Sequence, residues 1–362
     1  PLSRPAQASR PGEGAPPPTP NGSNGWPLGS LHRRGTACRA CVRTALIDRA
    51  PRLPGRRGTA CRALARNLLS LALIAALAVP SPASAYETDQ YSNRLLPVTD
   101  SGELFDARVN EAIEDVAAHW QGPRNDYRFA RKIYWRLGGL HWVDHIERWA
   151  MKNPEIEKLP QRRHKSIYSG APLFYRRVNA LFGVGRTMKI HGVLLGSDKL
   201  GHFFSQGVKY YRRHLGGASD ERLLAVGRKR ERGIFGQRTT SVFSNADLVA
   251  NYEGYLFYRS LFEDDIVPGK PALLIWQGDR PVPKRPFTFA DHVNDYWDEA
   301  LNPSHFSPGL RHWMAQTLLT LCPLYQQHPE AYEPNNDQAL AERYKVLGLK
   351  PAVEGRVGEV CG

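Results

Sequence analysis

Apolar residues recur three and four positions apart through most of residues 105–321, a spacing that buries one face of a helix. Phe105, Val109, Ile113, Val116 and Trp120 mark the first such stretch. Segments 127–137, 140–151, 171–182, 200–215, 220–232, 246–262, 289–301 and 310–321 read the same way, with Gly, Pro and Asn clusters as turns between them. The Pro-rich stretch 266–285 reads as a loop or small hairpin, with Leu273 to Trp276 its one strand-like run. Residues 323–362 are polar and irregular and are expected to wrap the surface. The expected fold class is therefore all-α, an irregular compact helical bundle spanning 86–322 with an extended C-terminal tail.

The first 85 residues differ in kind. Residues 1–63 are rich in Pro, Gly and Arg without apolar periodicity, and Arg33 to Ala40 recurs unchanged at Arg56 to Ala63. A disordered basic arm, a short interaction repeat, or translated upstream DNA from a start placed too early would each give this pattern. The last is preferred, because repeats that fold run longer and recur at least three times. The first residue is Pro and the first Met is Met151. Residues 64–85 read as an export signal, with Arg62 and Arg66 supplying the positive end. Leu68 to Val79 is the apolar core, Pro80-Ser81-Pro82 breaks the helix, and Ala83-Ser84-Ala85 offers small-x-small cleavage. The apolar run is short for a membrane anchor. The mature chain is expected to begin at Tyr86, and its location to be periplasmic or secreted.

Export changes the charge argument. Of 49 Lys and Arg, 12 fall in residues 1–85, against two of the 35 acids, so the remainder carries 37 bases and 33 acids. A net of +4 no longer argues for nucleic acid as a partner. Basic clusters at 162–165 and 228–230 read as solvated faces or as contacts to anionic lipid head groups. Cys38, Cys41 and Cys61 lie in the leader, which leaves Cys322 and Cys361. Two thiols in an exported chain suggest a disulfide pinning the tail. No later stretch approaches the roughly 18 apolar residues of a spanning helix, so the mature chain is expected not to cross a membrane.

The chemistry concentrates in two segments. Asp198-Lys199-Leu200-Gly201-His202-Phe203 places Asp198 and His202 on one helical face, and Asp247-Leu248-Val249-Ala250-Asn251 does the same for Asp247 and Asn251. Ser197 or Asp198 can cap the first helix and Ser244 the second. Gly201 and Gly207 lower helix propensity, and glycines so placed let another backbone come close.

At these residues the sequence resembles the VanZ-like group and the YfiM-like predicted periplasmic proteins. Asp198, Lys199, His202 and Phe203 match their Asp-Lys-x-x-His-Phe, and Asp247, Asn251 and Gly254 match the later part. Glu231 stands for an intervening acid. The resemblance covers about 60 residues and implies a site in the cell envelope rather than a named reaction; VanZ-like proteins are membrane-embedded, and this mature chain has no spanning segment.

Asp198, His202, Glu231 and Asp247 together offer one nitrogen and several oxygens, suited to a divalent metal that keeps a water position. Without metal, His202 paired with an acid is a general base and Lys199 a holder of phosphate or carboxylate. A satisfied polar network that fixes helix packing uses the same residues. Two functions follow from this. One is a hydrolase, metal-assisted, on a phosphorylated or glycosylated envelope component, with Asp198, Lys199, His202, Glu231, Asp247 and Asn251 as its site. The other is a non-enzymatic periplasmic module whose partner is an envelope lipid, glycan or protein.

Other candidates rank lower. His141 and His145 have zinc-ligand spacing, but Trp142, Ile146 and Trp149 make a core stripe of that helix. Asp291, His292, Asp295, Asp298 and Glu299 read as a solvated acidic face, with a cation site as the alternative. Tyr210, Tyr211, Tyr252 and Tyr255 flank the main site as core or as the lining of a sugar or lipid pocket.

Overall fold

Side-chain patterning that favours helices still leaves room for short strands, and the chain uses it. A computed structural model describes residues 88–139, 143–160, 166–172, 184–233, 237, 241–350 and 352–362. These all lie within one compact unit, residues 73–362, while a second unit, residues 1–72, lies outside the described residues together with both leader assignments. The described residues are about 53 % helix and 9 % strand, in small antiparallel sheets. The all-α expectation is thereby overturned: the fold is mixed α/β. Strands of two to four residues are shorter than the window over which periodicity can be read.

Helices α1 (Gly102–Ala118), α2 (Asp126–Leu137) and α3 (His145–Lys152) come first. The hairpin β1 (Thr187–Ile190) and β2 (Val193–Gly196) follows, in register Thr187↔Gly196 to Ile190↔Val193. Its turn residues His191 and Gly192 have φ of 45° and 85°, the left-handed pair that a two-residue hairpin needs. Asp100 holds the turn by accepting from the backbone N–H of His191 (2.9 Å) and Gly192 (2.6 Å).

β2 runs straight into α4 (Ser197–Gly201), a π-helical turn (His202–Gln206) and α5 (Gly207–Leu215), one continuous rod. Neither Ser197 nor Asp198 caps it; Gly196 is the N-cap residue. α6 (Asp220–Glu231), β3 (Val242–Phe243) and α7 (Asn245–Ser260) complete the central layer. Ser244 does cap α7, its Oγ accepting from Asp247 N at 3.1 Å. α7 packs along α5 and the π turn more extensively than any other pair of elements.

The Pro-rich stretch forms the hairpin β4 (Leu274–Gln277) and β5 (Arg280–Pro283). The predicted helix 289–301 is instead two 3-10 turns, Phe289–Asp291 and Asp295–Trp297. β6 (His305–Phe306) pairs with β3, and α8 (Pro308–Leu319) follows. The tail is not extended. It folds into α9 (Cys322–Gln327), α10 (Asp337–Arg343) and α11 (Val357–Cys361), burying Tyr344 and Val357, and Cys322 is bonded to Cys361. Among the described residues no helix is long and apolar enough to cross a membrane.

The core centres on Phe203, whose ring meets Phe257, Phe289 and Trp297 at centroid distances of 5.3, 5.4 and 5.7 Å. Glycines let the rod and α7 come this close. A Cβ on Gly207 would stand 2.5 Å from the Gly254 carbonyl carbon, and one on Gly254 would be driven into the carbonyl oxygen of Phe203. Backbone cannot give way as a side chain can, so Gly254→Ala should destabilise by about 2–3 kcal/mol. Chemical denaturation checks this; a loss under about 0.5 kcal/mol would mean the helices are not in backbone contact.

Candidate metal centre

Where the β1–β2 hairpin becomes the rod, Asp198 and Lys199 are placed against the first turn of α7 and the loop after the second 3-10 turn. Lys199 is wholly buried. Its Nζ donates to Asp198 Oδ2 (2.7 Å), Asp247 Oδ1 (2.6 Å) and Glu299 Oε1 (2.7 Å). Ser244 Oγ also donates to Glu299 Oε1, at 2.9 Å. The ammonium thus takes one oxygen of each aspartate and leaves the other, Asp198 Oδ1 and Asp247 Oδ2, facing away from it.

His202 faces the remaining oxygen of Asp247. Asn251 Oδ1 lies 3.0 Å from Nδ1, and an amide oxygen only accepts, so Nδ1 carries a proton. Nε2 lies 3.2 Å from Asp247 Oδ2. Donor atoms of Asp198, His202 and Asp247 all fall within 4.8 Å of one another. Asp198 Oδ1 is buried without a hydrogen-bond partner, and so is Thr88 Oγ1, which lies on the same side of Gly196. The His202 side chain is 22 % exposed and the two aspartates 8 %, so the group opens to solvent through the imidazole.

Burial and neighbouring charges pull the carboxyls of the cluster in opposite directions. Burial would raise the carboxyl of Asp247, but the charges of His202 and Lys199, with hydrogen bonds from Lys199 and Ser244, hold it below its ordinary value. Burial pushes Glu299 up to about 7 against the opposing pull of Lys199. Glu231 is held well above the ordinary range by burial and by repulsion from Asp247. The carboxyls of Asp198, Asp247 and Glu299 thus converge on one ammonium, with His202 beside Asp247.

The structure brings Asp198, Lys199, His202, Asp247 and Asn251 into direct contact through hydrogen bonds and ion pairs. Glu231, buried on α6, reaches them electrostatically and stands outside the trio of donor atoms. Sequence reasoning missed Glu299. It lay in the cluster read as a solvated face, yet Asp291 pairs with Lys270 and Arg285, His292 with Glu253, Asp298 with Arg94 and Glu299 with Lys199, and all four are buried or nearly so. Their even spread around 3-10 turns hid this, because a helical wheel assigns them a face they do not have.

Glu147 was also missed. Its carboxyl lies against Gly201 and is raised well above the ordinary range by burial and by Asp144. Of the other candidates, His141 lies outside the described residues, so the His141–His145 pair has no structural description. Tyr210, Tyr211 and Tyr255 are core residues rather than a pocket lining. A cleft of about 420 Å³ lies instead between Arg94, Val193, Asp298 and the tail residues Glu330 and Asn335, and none of the site residues lines it. Comparison with protein-family models, with curated proteins and with solved structures gives no match.

Proposed function

We propose that Asp198, His202 and Asp247 hold a divalent cation, and that the protein is an exported, metal-assisted hydrolase of a phosphorylated or glycosylated envelope component. The observation that carries the reading is the convergence of one donor atom each from Asp198, His202 and Asp247 within 4.8 Å, with Asp198 Oδ1 buried and without a hydrogen-bond partner. A neutral imidazole would point its Nε2 lone pair at carboxylate oxygens, an arrangement that a proton or a metal relieves. The 3.2 Å between Nε2 and Oδ2 is close to the roughly 3.4 Å that separates two ligands on one tetrahedral ion. Three protein ligands leave a position for water, whose proton a bound metal makes easier to lose. Asn251 orients the imidazole and Lys199 the aspartates, as outer partners do around metal ligands. The envelope setting rests on the signal-like segment 64–85 and on the VanZ-like and YfiM-like resemblance.

The second reading, a polar network that only fixes helix packing in a binding module, draws on the complete burial of Lys199 among three carboxylates. Kinetics and calorimetry on His202→Ala separate the two. The hydrolase reading expects turnover of phosphate esters or glycosides to fall more than about 100-fold while Tm moves by less than about 3 °C, and chelation of the wild type to give the same loss. A fall of about 10 °C with no chelator-sensitive turnover in the wild type would leave the network reading.

A further inference from the structure

The rod that carries His202 continues into a second group of charges for which the trio has no use. Lys209 and Arg213 stand one helical turn apart on α5, and Arg230 approaches from α6 to donate to Gln206 Oε1 at 2.8 Å. No carboxylate of the described residues forms an ion pair with any of the three. The nearby acids are poor counter-charges. Burial raises Asp144, near Lys209, to about 7, and burial with repulsion from Asp247 raises Glu231, beside Arg230, well above its ordinary value.

Two donors within this group have no acceptor among the described residues. Arg213 Nη1 and Tyr210 Oη are both shut from solvent without a hydrogen-bond partner, and Tyr210 is only 1 % exposed. Buried donors left unpaired are unusual and point to a missing acceptor. Tyr210 Oη lies against Gly227 of α6, and the charges of Glu231, Arg230, Arg213 and Arg228 all act on it.

We infer that Lys209, Arg213 and Arg230 form a binding site for a phosphate group. Three cations that form no ion pair with a carboxylate of the described residues suit a dianion, and a phosphate monoester at neutral pH carries about −1.5 to −2. Its tetrahedral oxygens accept from two guanidinium forks and an ammonium at once, whereas a carboxylate has two oxygens and one charge. The inference deepens the hydrolase reading by naming a phosphorylated substrate class, and it rests on that reading only for what happens after binding.

Titration calorimetry of inorganic phosphate into the protein with EDTA present tests it, because chelation separates the anion site from the metal centre. One phosphate per chain is expected, with Kd raised at least about 10-fold in Arg213→Gln/Arg230→Gln. Lys209→Gln, at an exposed position where folding is not at stake, should raise it about 3-fold or more. Phosphate binding in EDTA that survives while no metal binds would sustain this inference and end the hydrolase reading. Two further arms identify the source: competition by glycerol phosphate, and sedimentation with phosphatidylcholine vesicles containing phosphatidic acid. Binding to either supports the site and says whether a soluble ester or a lipid head group fills it. No phosphate binding by the wild type, or binding unchanged in both variants, overturns it.

Discussion

Replacing Lys199 by Met should remove about 3–5 kcal/mol of stability, the usual consequence of deleting one partner from a buried ionic cluster. Met fills a similar volume, so the loss is electrostatic rather than a cavity effect. Asp198 Oδ2, Asp247 Oδ1 and Glu299 Oε1 would lose a donor at 2.6–2.7 Å, and no cation among their described partners other than His202 faces them. At roughly 2–4 °C per kcal/mol for a domain of this size, Tm should fall by about 10 °C or more.

The loss should depend on pH, and its sign follows from Glu299. Burial raises that carboxyl from 4.5 to about 7, so between those values the native state binds more protons than the unfolded chain. Its contribution is full below about pH 4.5 and is lost as pH rises through about 7. Without the ammonium the carboxyls are pushed further up, so Lys199→Met should be hurt more at pH 8 than at pH 5. Urea midpoints at the two pH values measure this. An equal deficit at both, or one below about 1 kcal/mol, would show that Lys199 does not neutralise the cluster.

The disulfide is the second large term. Cys322 and Cys361 are 39 residues apart, and closing such a loop limits the unfolded chain by about 4 kcal/mol. Cys322→Ser/Cys361→Ser, or reduction, should lower stability by that order. The tail it closes does more than cover surface. Arg343 Nη2 and Tyr344 Oη donate to Glu253 Oε1 at 2.6 and 2.7 Å, a carboxylate with no exposure that also meets His292 Nδ1 at 3.0 Å. Loosening the tail would leave that charge with His292 alone. Thermal melts with and without reductant check the prediction; identical curves would mean that the tail holds by packing without the bond.

Legibility in the sequence followed element length and strength of pattern. Helices α1, α2, α6, α7 and α8 were readable because each repeats its apolar face over three turns or more. Ser244 announced the start of α7 by its capping chemistry. The β1–β2 hairpin was hidden because His191-Gly192 looks like any flexible break until the positive φ of both residues is known. The π turn was hidden too, since one extra residue in a helical run leaves no compositional mark. At the site, spacing of four put Asp198 with His202 and Asp247 with Asn251, and the motif order suggested that the pairs meet. Nothing in spacing places Glu299, 100 residues from Lys199, or shows that one ammonium divides the oxygens of two aspartates.

Anomalous diffraction from crystals grown with millimolar Mn²⁺ or Zn²⁺ tests the central claim most directly. The account predicts one peak about 2.0–2.2 Å from a carboxylate oxygen of Asp198, His202 Nε2 and Asp247 Oδ2, absent from His202→Ala crystals grown alike. A featureless map there, with His202 Nε2 donating to Asp247 Oδ2, would contradict it.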